Sequence, residues 1–221
     1  GATPEQNVRK KFNEDHRLAL FMTGNIRTES WYAEKRESSF FDLKAEVIRL
    51  LNRVGIDMNK RVEEEIEGRF GRTLSIKVDK LEVAQITIVP NKLLDYYGIK
   101  QNVYYADIAW NSVLKLKGRS KTTFSPLPKM LDTRRDLAIV LDKNTRYSDI
   151  VNITKQRGSK LIKSMNLFDV YEGDKIGANK KSYAIAYFLR DDEKTLTDDQ
   201  IDKIMSQLIK LYDKEFNATI R

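Results

Sequence analysis

The side chains of this chain that are best suited to chemistry lie near its C terminus, in the segments Arg134–Leu141 and Lys180–Arg190. Phe188 offers a ring on which an unstacked nucleic-acid base can pack, and small residues at nearby alternate positions leave room for one. Asp136 and Ser182 carry oxygens that can hydrogen-bond a base edge. The cations suited to holding phosphates are Arg134, Arg135, Lys180, Lys181 and Arg190.

A sheet is needed to bring these residues together, and the pattern over residues 134–221 predicts one. Alternating apolar residues predict strands at Arg134–Leu141, Met165–Tyr171, Lys181–Arg190 and Asn217–Arg221. A helix is predicted from near Ser148, and Thr197 with Gln200 three residues later is typical of the cap of a second helix. This order of elements predicts a ferredoxin-like βαββαβ sandwich.

In such a sandwich both helices cover one face of the sheet, so the other face is free to receive unstacked bases. Because alternate residues of a strand point to opposite faces, Tyr183, Ile185, Tyr187 and Leu189 fall on the helix side. The predicted open face carries Asp136, Ala138 and Val140 on the first strand and Ser182, Ala184, Ala186, Phe188 and Arg190 on the third. Tyr171, at the end of the second strand, is a further candidate for RNA contact.

Each candidate also has a purely structural interpretation. Phe188 could pack against the N-terminal half of the chain, since stacking and packing use the same surface chemistry. Arg135 could form an ion pair with Asp136 or Asp169, and Tyr171 could cap the core. Residue types alone leave these alternatives open.

The net charge of +8 favours anionic partners without identifying one. Basic residues are concentrated between positions 115 and 163, where they face only four carboxylates. The basic residues are Lys115, Lys117, Arg119, Lys121, Lys129, Arg134, Arg135, Lys143, Arg146, Lys155, Arg157, Lys160 and Lys163. This pattern is expected for phosphate contacts, and a solvated basic linker and helix face is the alternative.

Composition excludes several classes of protein. The chain has 221 residues, 41% of them hydrophobic and 33% charged, which is typical of one or two globular domains. It has no cysteine, so a disulfide framework, a thiol nucleophile and a cysteine-ligated zinc are excluded. No apolar run approaches the roughly 20 residues that span a bilayer, and no secretory signal is visible in residues 1–11. We therefore predict a cytoplasmic location.

The N-terminal half is predicted to be α+β with a mostly antiparallel sheet. Strands are predicted at Arg17–Met22, which we expect to be buried, and at Arg72–Val78, Leu81–Val89 and Asn102–Trp110. Helices are predicted at Ser39–Val54, ending at Gly55, and at Lys92–Tyr97. The stretch Lys115–Lys129 contains Pro126 and Pro128 and is the predicted boundary. The predicted domains are 1–120 and 134–221, joined by a linker at 121–133.

Catalytic chemistry is not apparent in the sequence. Gly68 to Arg72 is the nearest candidate for a phosphate-binding loop, but its glycine spacing does not allow close backbone approach, and we expect a plain loop between a helix and a strand. His16 is the only histidine, so a Ser-His-Asp triad or a histidine-rich metal site is not expected. The acidic runs Glu63–Glu67 and Asp191–Glu193 are expected to face water on a helix or loop rather than to bind a metal.

The residue sequences of several segments resemble those of one known family. The C-terminal segments are Arg134-Arg135-Asp136-Leu137-Ala138, Leu167-Phe168-Asp169-Val170-Tyr171-Glu172-Gly173, Lys181-Ser182, and Arg190 with Thr195-Leu196-Thr197-Asp198. They resemble the ferredoxin-fold anticodon-binding domain that ends the β subunit of bacterial phenylalanyl-tRNA synthetase. The N-terminal segments are Arg17-Leu18-Ala19-Leu20, Thr23-Gly24-Asn25, Ser30-Trp31 and Phe40-Phe41-Asp42-Leu43-Lys44. They resemble the synthetase-like core module of the same subunit.

This resemblance implies a class II synthetase-like module that has lost its catalytic residues, followed by an anticodon-binding domain. It implies a tRNA-binding, non-catalytic fragment of an enzyme in which the α subunit charges tRNA(Phe) with phenylalanine, using ATP and magnesium. No cofactor is expected in this fragment, because the magnesium-binding helical domain and the editing domain of the family would lie upstream of residue 1. The implied partners are tRNA(Phe) and the α subunit, in an (αβ)2 assembly. The alternative is a ferredoxin-like module whose open face binds a protein.

Overall fold

The computed structural model describes residues 14–32, 34–117, 124, 128–173 and 176–221. The chain divides into two compact units, an N-terminal and a C-terminal one, between residues 123 and 124. Within the described ranges, no helix is long and apolar enough to cross a membrane.

The N-terminal unit is built on a five-stranded antiparallel sheet with the strand order β1-β5-β4-β3-β2. Its strands are β1 (Arg17–Thr23), β2 (Val62–Gly68), β3 (Gly71–Val78), β4 (Leu81–Ile88) and β5 (Val103–Ala109). Its helices are α1 (Phe40–Val54), α2 (Asn91–Tyr96) and α3 (Trp110–Lys117), with a 3-10 turn at Met58–Lys60. Residues of α1, α3 and the sheet share one buried core. The predicted mixed α/β unit with an antiparallel sheet is confirmed.

Helix α1 begins and ends where the sequence predicts. The Ser39 hydroxyl accepts a hydrogen bond from the Asp42 backbone N–H, and the Asp42 carboxylate accepts one from the Ser39 N–H at 2.8 Å, which forms a capping box. Gly55 ends the helix with a φ of 92°, a left-handed conformation that glycine adopts without strain. Arg36 donates two hydrogen bonds of 2.8 Å to Asp42. Together with Ser39, this guanidinium holds the pKa of the Asp42 carboxyl well below its usual range.

The acidic run predicted to be a helix or loop is strand β2, at one edge of the sheet. The turn from Gly68 to Gly71 joins β2 to β3 in a hairpin, so the predicted loop between a helix and a strand is wrong. Cations stabilise the strand: Lys77 binds Glu64 at 2.5 Å, and Arg72 binds Glu65 at 2.7 Å. The sequence prediction missed these cross-strand charge pairs.

Strand β1 forms at the predicted residues but lies at the opposite edge of the sheet, and among the described residues it pairs with β5 alone. Its residues alternate between exposed and half-buried, so the predicted burial is wrong. An edge position explains this pattern, because only one side of the strand is paired and only one face is packed.

Lys115 and Lys117 belong to the last turn of α3, a helix that the sequence prediction assigned in part to the domain boundary. Part of the predicted linker 121–133, including Pro126, lies outside the described residues. The linker and the domain limits at 120 and 134 stay predictions.

The C-terminal unit has the predicted order of strand, helix, strand, strand, helix, strand. Its strands are β6 (Thr133–Asp142), β7 (Ile162–Tyr171), β8 (Lys180–Leu189) and β9 (Thr219–Ile220), and its helices are α4 (Tyr147–Arg157) and α5 (Asp198–Phe216). The sheet is antiparallel with the order β7-β8-β6-β9. The predicted capping box of Thr197 and Gln200 begins α5.

The helix side of this sheet contains the core. Tyr183, Ile185, Tyr187 and Leu189 of β8 all lie in it, as their alternation predicts. The buried Tyr187 hydroxyl donates to that of Tyr212 at 2.9 Å, and the Tyr212 and Thr154 hydroxyls are 2.6 Å apart. Burial raises the pKa of both tyrosines. This chain of hydroxyl groups links α4, β8 and α5. Because both helices pack on this side of the sheet, they do not cover its opposite face.

Candidate nucleic-acid interface

The open face is the side of the C-terminal sheet that points away from α4 and α5. Strand register arranges its side chains in four rows across β6, β8 and β7. The rows are Arg134, Phe188 and Ser164; Asp136, Ala186 and Asn166; Ala138, Ala184 and Asp169; and Val140, Ser182 and Tyr171. The rows bring together side chains of three strands that are well separated in sequence.

Phe168 is the extra residue of a β-bulge on β7, where the register with β8 shifts between Leu167 and Asp169. The guanidinium of Arg134 lies 5.4 Å from the centre of the Phe168 ring, so this ring shares the open face with Arg134. Phe168 is 50% exposed, which leaves much of its ring free for a base. Phe188 lies beside Arg134 on the central strand and is half-buried. The first row and the bulge therefore offer two rings for stacking.

Arg134 and Asp136 form a two-bond ion pair on the open face. Arg134 donates from Nε at 2.8 Å and from Nη2 at 3.0 Å to the two carboxylate oxygens. The pair raises the pKa of the Arg134 guanidinium, chiefly through the hydrogen bonds. Both side chains are about half exposed, and solvent screening leaves exposed pairs of this kind with little net contribution to stability. A phosphate or a base edge can therefore compete for either partner.

The other half of the open face has a floor of two small residues, Ala138 and Ala184. The carboxylate of Asp169 lies at one side of this floor, opposite Ala184. Arg221 lies at the other side, since its backbone N–H donates to the Ala138 carbonyl at 3.1 Å. The Arg221 guanidinium lies 4.8 Å from the Tyr171 ring centre. This half of the open face therefore combines a flat apolar floor, a carboxylate, an aromatic ring and a cation. Groups of these kinds bind a single unstacked base.

The turn after β7 positions Tyr171. A Cβ added at Gly173 would lie 2.5 Å from the Tyr171 hydroxyl, closer than a real Cβ approaches another heavy atom. Glycine at this position therefore allows the tyrosine ring to fold against the turn. Ser182, in the same row as Tyr171, is only 3% exposed, so its hydroxyl is largely screened from solvent.

Several predicted site residues lie away from the open face. Arg135 and Lys181 have the opposite strand parity and point to the helix side, where Arg135 donates to Asp198 at 3.1 Å rather than to Asp136 or Asp169. The Lys181 ammonium lies 4.8 Å from the Tyr183 ring centre. Arg190 follows β8, where its guanidinium is shared between Asp132 and Asp192. The predicted RNA contacts of these three residues stay predictions, without support from their placement.

Lys180 begins β8 and is exposed, opposite Asp142 of β6. Other basic residues of the unit are already in ion pairs: Lys143 with Glu172, Arg157 with Glu215, and Lys163 with Asp192. The local basic excess seen in the sequence is thus partly neutralised in the fold. What distinguishes the open face is its combination of rings, small residues and accessible charge.

Sequence reasoning missed Asp169, Phe168 and Arg221 as components of this face. The signal for the bulge is present: Met165 and Leu167 alternate, but the next apolar residue on the same face, Val170, is three positions on. Arg221 could be placed only by knowing that β9 pairs with β6.

Two family models match the chain. The phenylalanyl tRNA synthetase beta chain CLM domain matches residues 2–110, and the ferredoxin-fold anticodon binding domain matches residues 128–221. The matched domain supports RNA, rather than a protein, as the ligand of the C-terminal unit.

Phenylalanine–tRNA ligase beta subunits are among the relatives of this chain. That of Bacteroides thetaiotaomicron is 37% identical over 98% of this chain and 27% of its own length. That of Bacteroides fragilis is 34% identical over 98% of this chain and 27% of its own length. The chain therefore spans about a quarter of the length of the curated relatives it matches. A pyrrolysyl tRNA synthetase from Desulfitobacterium hafniense, at 12% identity over 52% of this chain and 45% of its own, has a TM-score of only 0.32.

Proposed function

We propose that this chain, which belongs to the phenylalanyl-tRNA synthetase beta-chain family, is a non-catalytic part of such a subunit and binds tRNA(Phe) through the open face of its C-terminal unit. In the intact enzyme, an α subunit would join phenylalanine to the tRNA with ATP and magnesium. The N-terminal unit would be a class II synthetase-like scaffold. The intact enzyme would be an (αβ)2 assembly in the cytoplasm.

The observation that carries this proposal is the half of the open face around Ala138 and Ala184. An unstacked anticodon base would lie flat on these two residues, with the Tyr171 ring against it. The Asp169 carboxylate would accept hydrogen bonds from N–H groups on the base edge. The Arg221 guanidinium would move away from the Tyr171 ring and bind a neighbouring phosphate of the RNA.

The other half of the open face would take a second base. Phe168 and Phe188 would stack it, and Asn166 would offer both a donor and an acceptor to its edge. Arg134 would hold the phosphate between the two bases, with Asp136 keeping the guanidinium in place when RNA is absent. The row of Asp136, Ala186 and Asn166 lies between Phe188 and the floor of Ala138 and Ala184.

The experiment is a titration of the whole 221-residue chain with fluorescent anticodon stem-loops of tRNA(Phe) and of a second tRNA with a different anticodon. We expect tighter binding of the first, and an affinity that falls with salt as phosphate contacts require. Equal affinity for both stem-loops and for heparin would contradict anticodon recognition. Separately, we expect no phenylalanine-dependent pyrophosphate exchange by the chain alone, and such exchange would contradict the non-catalytic assignment.

A further inference from the structure

The Tyr171 ring has two contacts that bear differently on RNA binding. The first is with the Arg221 guanidinium, 4.8 Å from the ring centre, which would move to a phosphate of the bound RNA. The second is with Gly173, in the turn that follows β7. Only the second contact would remain when a base stacks on the ring.

Gly173 lies directly against the tyrosine ring. A Cβ built on Gly173 would lie 2.5 Å from the Tyr171 hydroxyl oxygen, 2.8 Å from Cζ and 3.2 Å from Cε1. Real Cβ atoms do not approach other heavy atoms as closely as the first two distances. The ring therefore occupies space that only glycine at position 173 leaves free.

The backbone around this contact is held by other interactions. Tyr171 is the last residue of β7, within the ladder with β8. The Gly173 carbonyl accepts a hydrogen bond from the Ile176 N–H at 3.2 Å. Between them, Glu172 forms an ion pair of 2.6 Å with Lys143, in the turn between β6 and α4. A side chain at position 173 would therefore displace the tyrosine ring rather than the backbone.

Two glycines of this connection serve different purposes. Gly177 has a φ of 98°, a left-handed conformation, and an added Cβ would meet no atom of the described residues within 4 Å. The φ of Gly173 lies outside the left-handed region, so its backbone conformation suits alanine as well. Gly177 is thus required by the backbone, and Gly173 by the tyrosine ring.

We propose that Gly173 is a positioning residue for RNA recognition, because it sets the place of the Tyr171 ring beside the floor of Ala138 and Ala184. When Arg221 moves to a phosphate, the contact with Gly173 keeps the ring where a base can stack on it. A ring that is already in place loses less conformational freedom on binding, which favours affinity. Since the ring acts only where RNA binds the open face, this role of Gly173 rests on the proposed function.

The first measurement needs no RNA. The aromatic ring shifts the NMR signal of the Arg221 Nε–H group, and Tyr171→Ala defines where that signal lies without the ring. In the whole chain with isotopically labelled arginine, Gly173→Ala should move the signal towards that position. Gly177→Ala strains the same connection without touching the ring, so it should leave the signal unchanged.

The second measurement is the affinity for the anticodon stem-loop of tRNA(Phe). Gly173→Ala should raise the Kd about fivefold to tenfold, near the lower end of the cost of losing a stacked aromatic. In the Tyr171→Ala background the same substitution should have no further effect. Tyr171→Phe should restore part of the affinity of Gly173→Ala, because it removes the oxygen nearest to the added Cβ.

Three results would overturn the proposal. One is an Arg221 signal that Gly173→Ala leaves in place. Another is a loss of affinity in Gly173→Ala that is just as large when residue 171 is already alanine. The third is an equal loss of the ring's effect in Gly177→Ala, which would show a general disturbance of the connection.

Failure of the proposed function would give a different pattern. Gly173→Ala would move the Arg221 signal, yet neither this variant nor Tyr171→Ala would change the affinity for the stem-loop. That pattern would keep Gly173 as the residue that places the ring and would remove the ring from RNA binding.

Discussion

The guanidinium group of Arg221 lies 4.8 Å from the centre of the Tyr171 ring, although the two residues come from opposite edges of the four-stranded sheet. Neighbouring strands are about 4.8 Å apart, so both side chains must lean inward over β6 and β8 to meet. They cover the end of the open face at which Ser182 is buried. A base that binds there must therefore engage or displace this pair.

Replacing Tyr171 tests the half of the open face around Ala138 and Ala184. Tyr171→Ala should lower the affinity for the anticodon stem-loop by about 1–3 kcal/mol, the usual contribution of an aromatic that stacks a base. Tyr171→Phe should keep most of the affinity, because the ring remains. Anisotropy titration measures both. Tyr96→Ala, at an 81% exposed tyrosine of the N-terminal unit, is the matched control and should bind normally.

Replacing Phe168 and Phe188 tests the half of the open face that contains Arg134. Phe188→Ala and Phe168→Ala should each lower RNA affinity by about 1–3 kcal/mol with the fold intact, if each stacks a base. Thermal unfolding is the control measurement. If Phe188→Ala lowers the Tm markedly and the folded protein binds RNA as before, Phe188 is a packing residue, and the stacking role passes to Phe168 and Tyr171.

Adjacent arginines on β6 distinguish the two faces of the sheet. Arg134→Ala should weaken binding to many RNAs alike and reduce the slope of log K against log salt by about one unit for each phosphate that the variant no longer holds. The sequence alone predicts the same for Arg135→Ala and Lys181→Ala. Because the structure turns these two side chains to the helix side, we now expect little change in either salt slope. Equal effects at Arg134 and Arg135 would contradict the assignment of the open face.

The hydroxyl chain of the core can be tested by unfolding. Tyr212→Phe leaves the buried Tyr187 hydroxyl without its acceptor, and an unsatisfied buried group costs about 1–3 kcal/mol. The free energy of unfolding from urea titration should fall by that amount. Both tryptophans, Trp31 and Trp110, are in the N-terminal unit, so their fluorescence serves as an internal control and should not shift. If the urea unfolding transition seen by tryptophan fluorescence shifts as well, the two units unfold together.

The capping carboxylate of α1 should make stability depend on pH. Folding lowers the pKa of Asp42, so its contribution is complete above the unfolded value of about 4 and disappears as the pH falls through the folded value. Asp42→Asn should destabilise the chain at neutral pH and flatten the decrease in stability in acid. Glu29→Gln, at an exposed carboxylate, should leave the pH profile unchanged. An unaltered acid profile for Asp42→Asn would contradict this origin of the pH dependence.

The elements most accurately predicted are those whose signals are local. The cap at Ser39 and the stop at Gly55 delimit α1 because both act within one helical turn. The turn at Asp79 and Lys80 joins β3 to β4, and both residues adopt the positive φ that a tight hairpin turn needs. By contrast, the prediction for the glutamates of β2 is wrong, because Glu64 and Glu65 meet Lys77 and Arg72 of the neighbouring strand β3, a pairing that the local pattern does not reveal.

The order of the elements and the helix side of β8 follow from local patterns, because alternation and capping act between residues close in the chain. The family resemblance follows from the residues of several short segments. Which charged side chains lie on the open face depends on the fold. Arg134, Arg135 and Arg190 look alike in sequence, yet each meets a different carboxylate. Strand register and one bulge bring Asp169, Tyr171 and Arg221 around Ala138 and Ala184, and these are long-range pairings that no local pattern specifies.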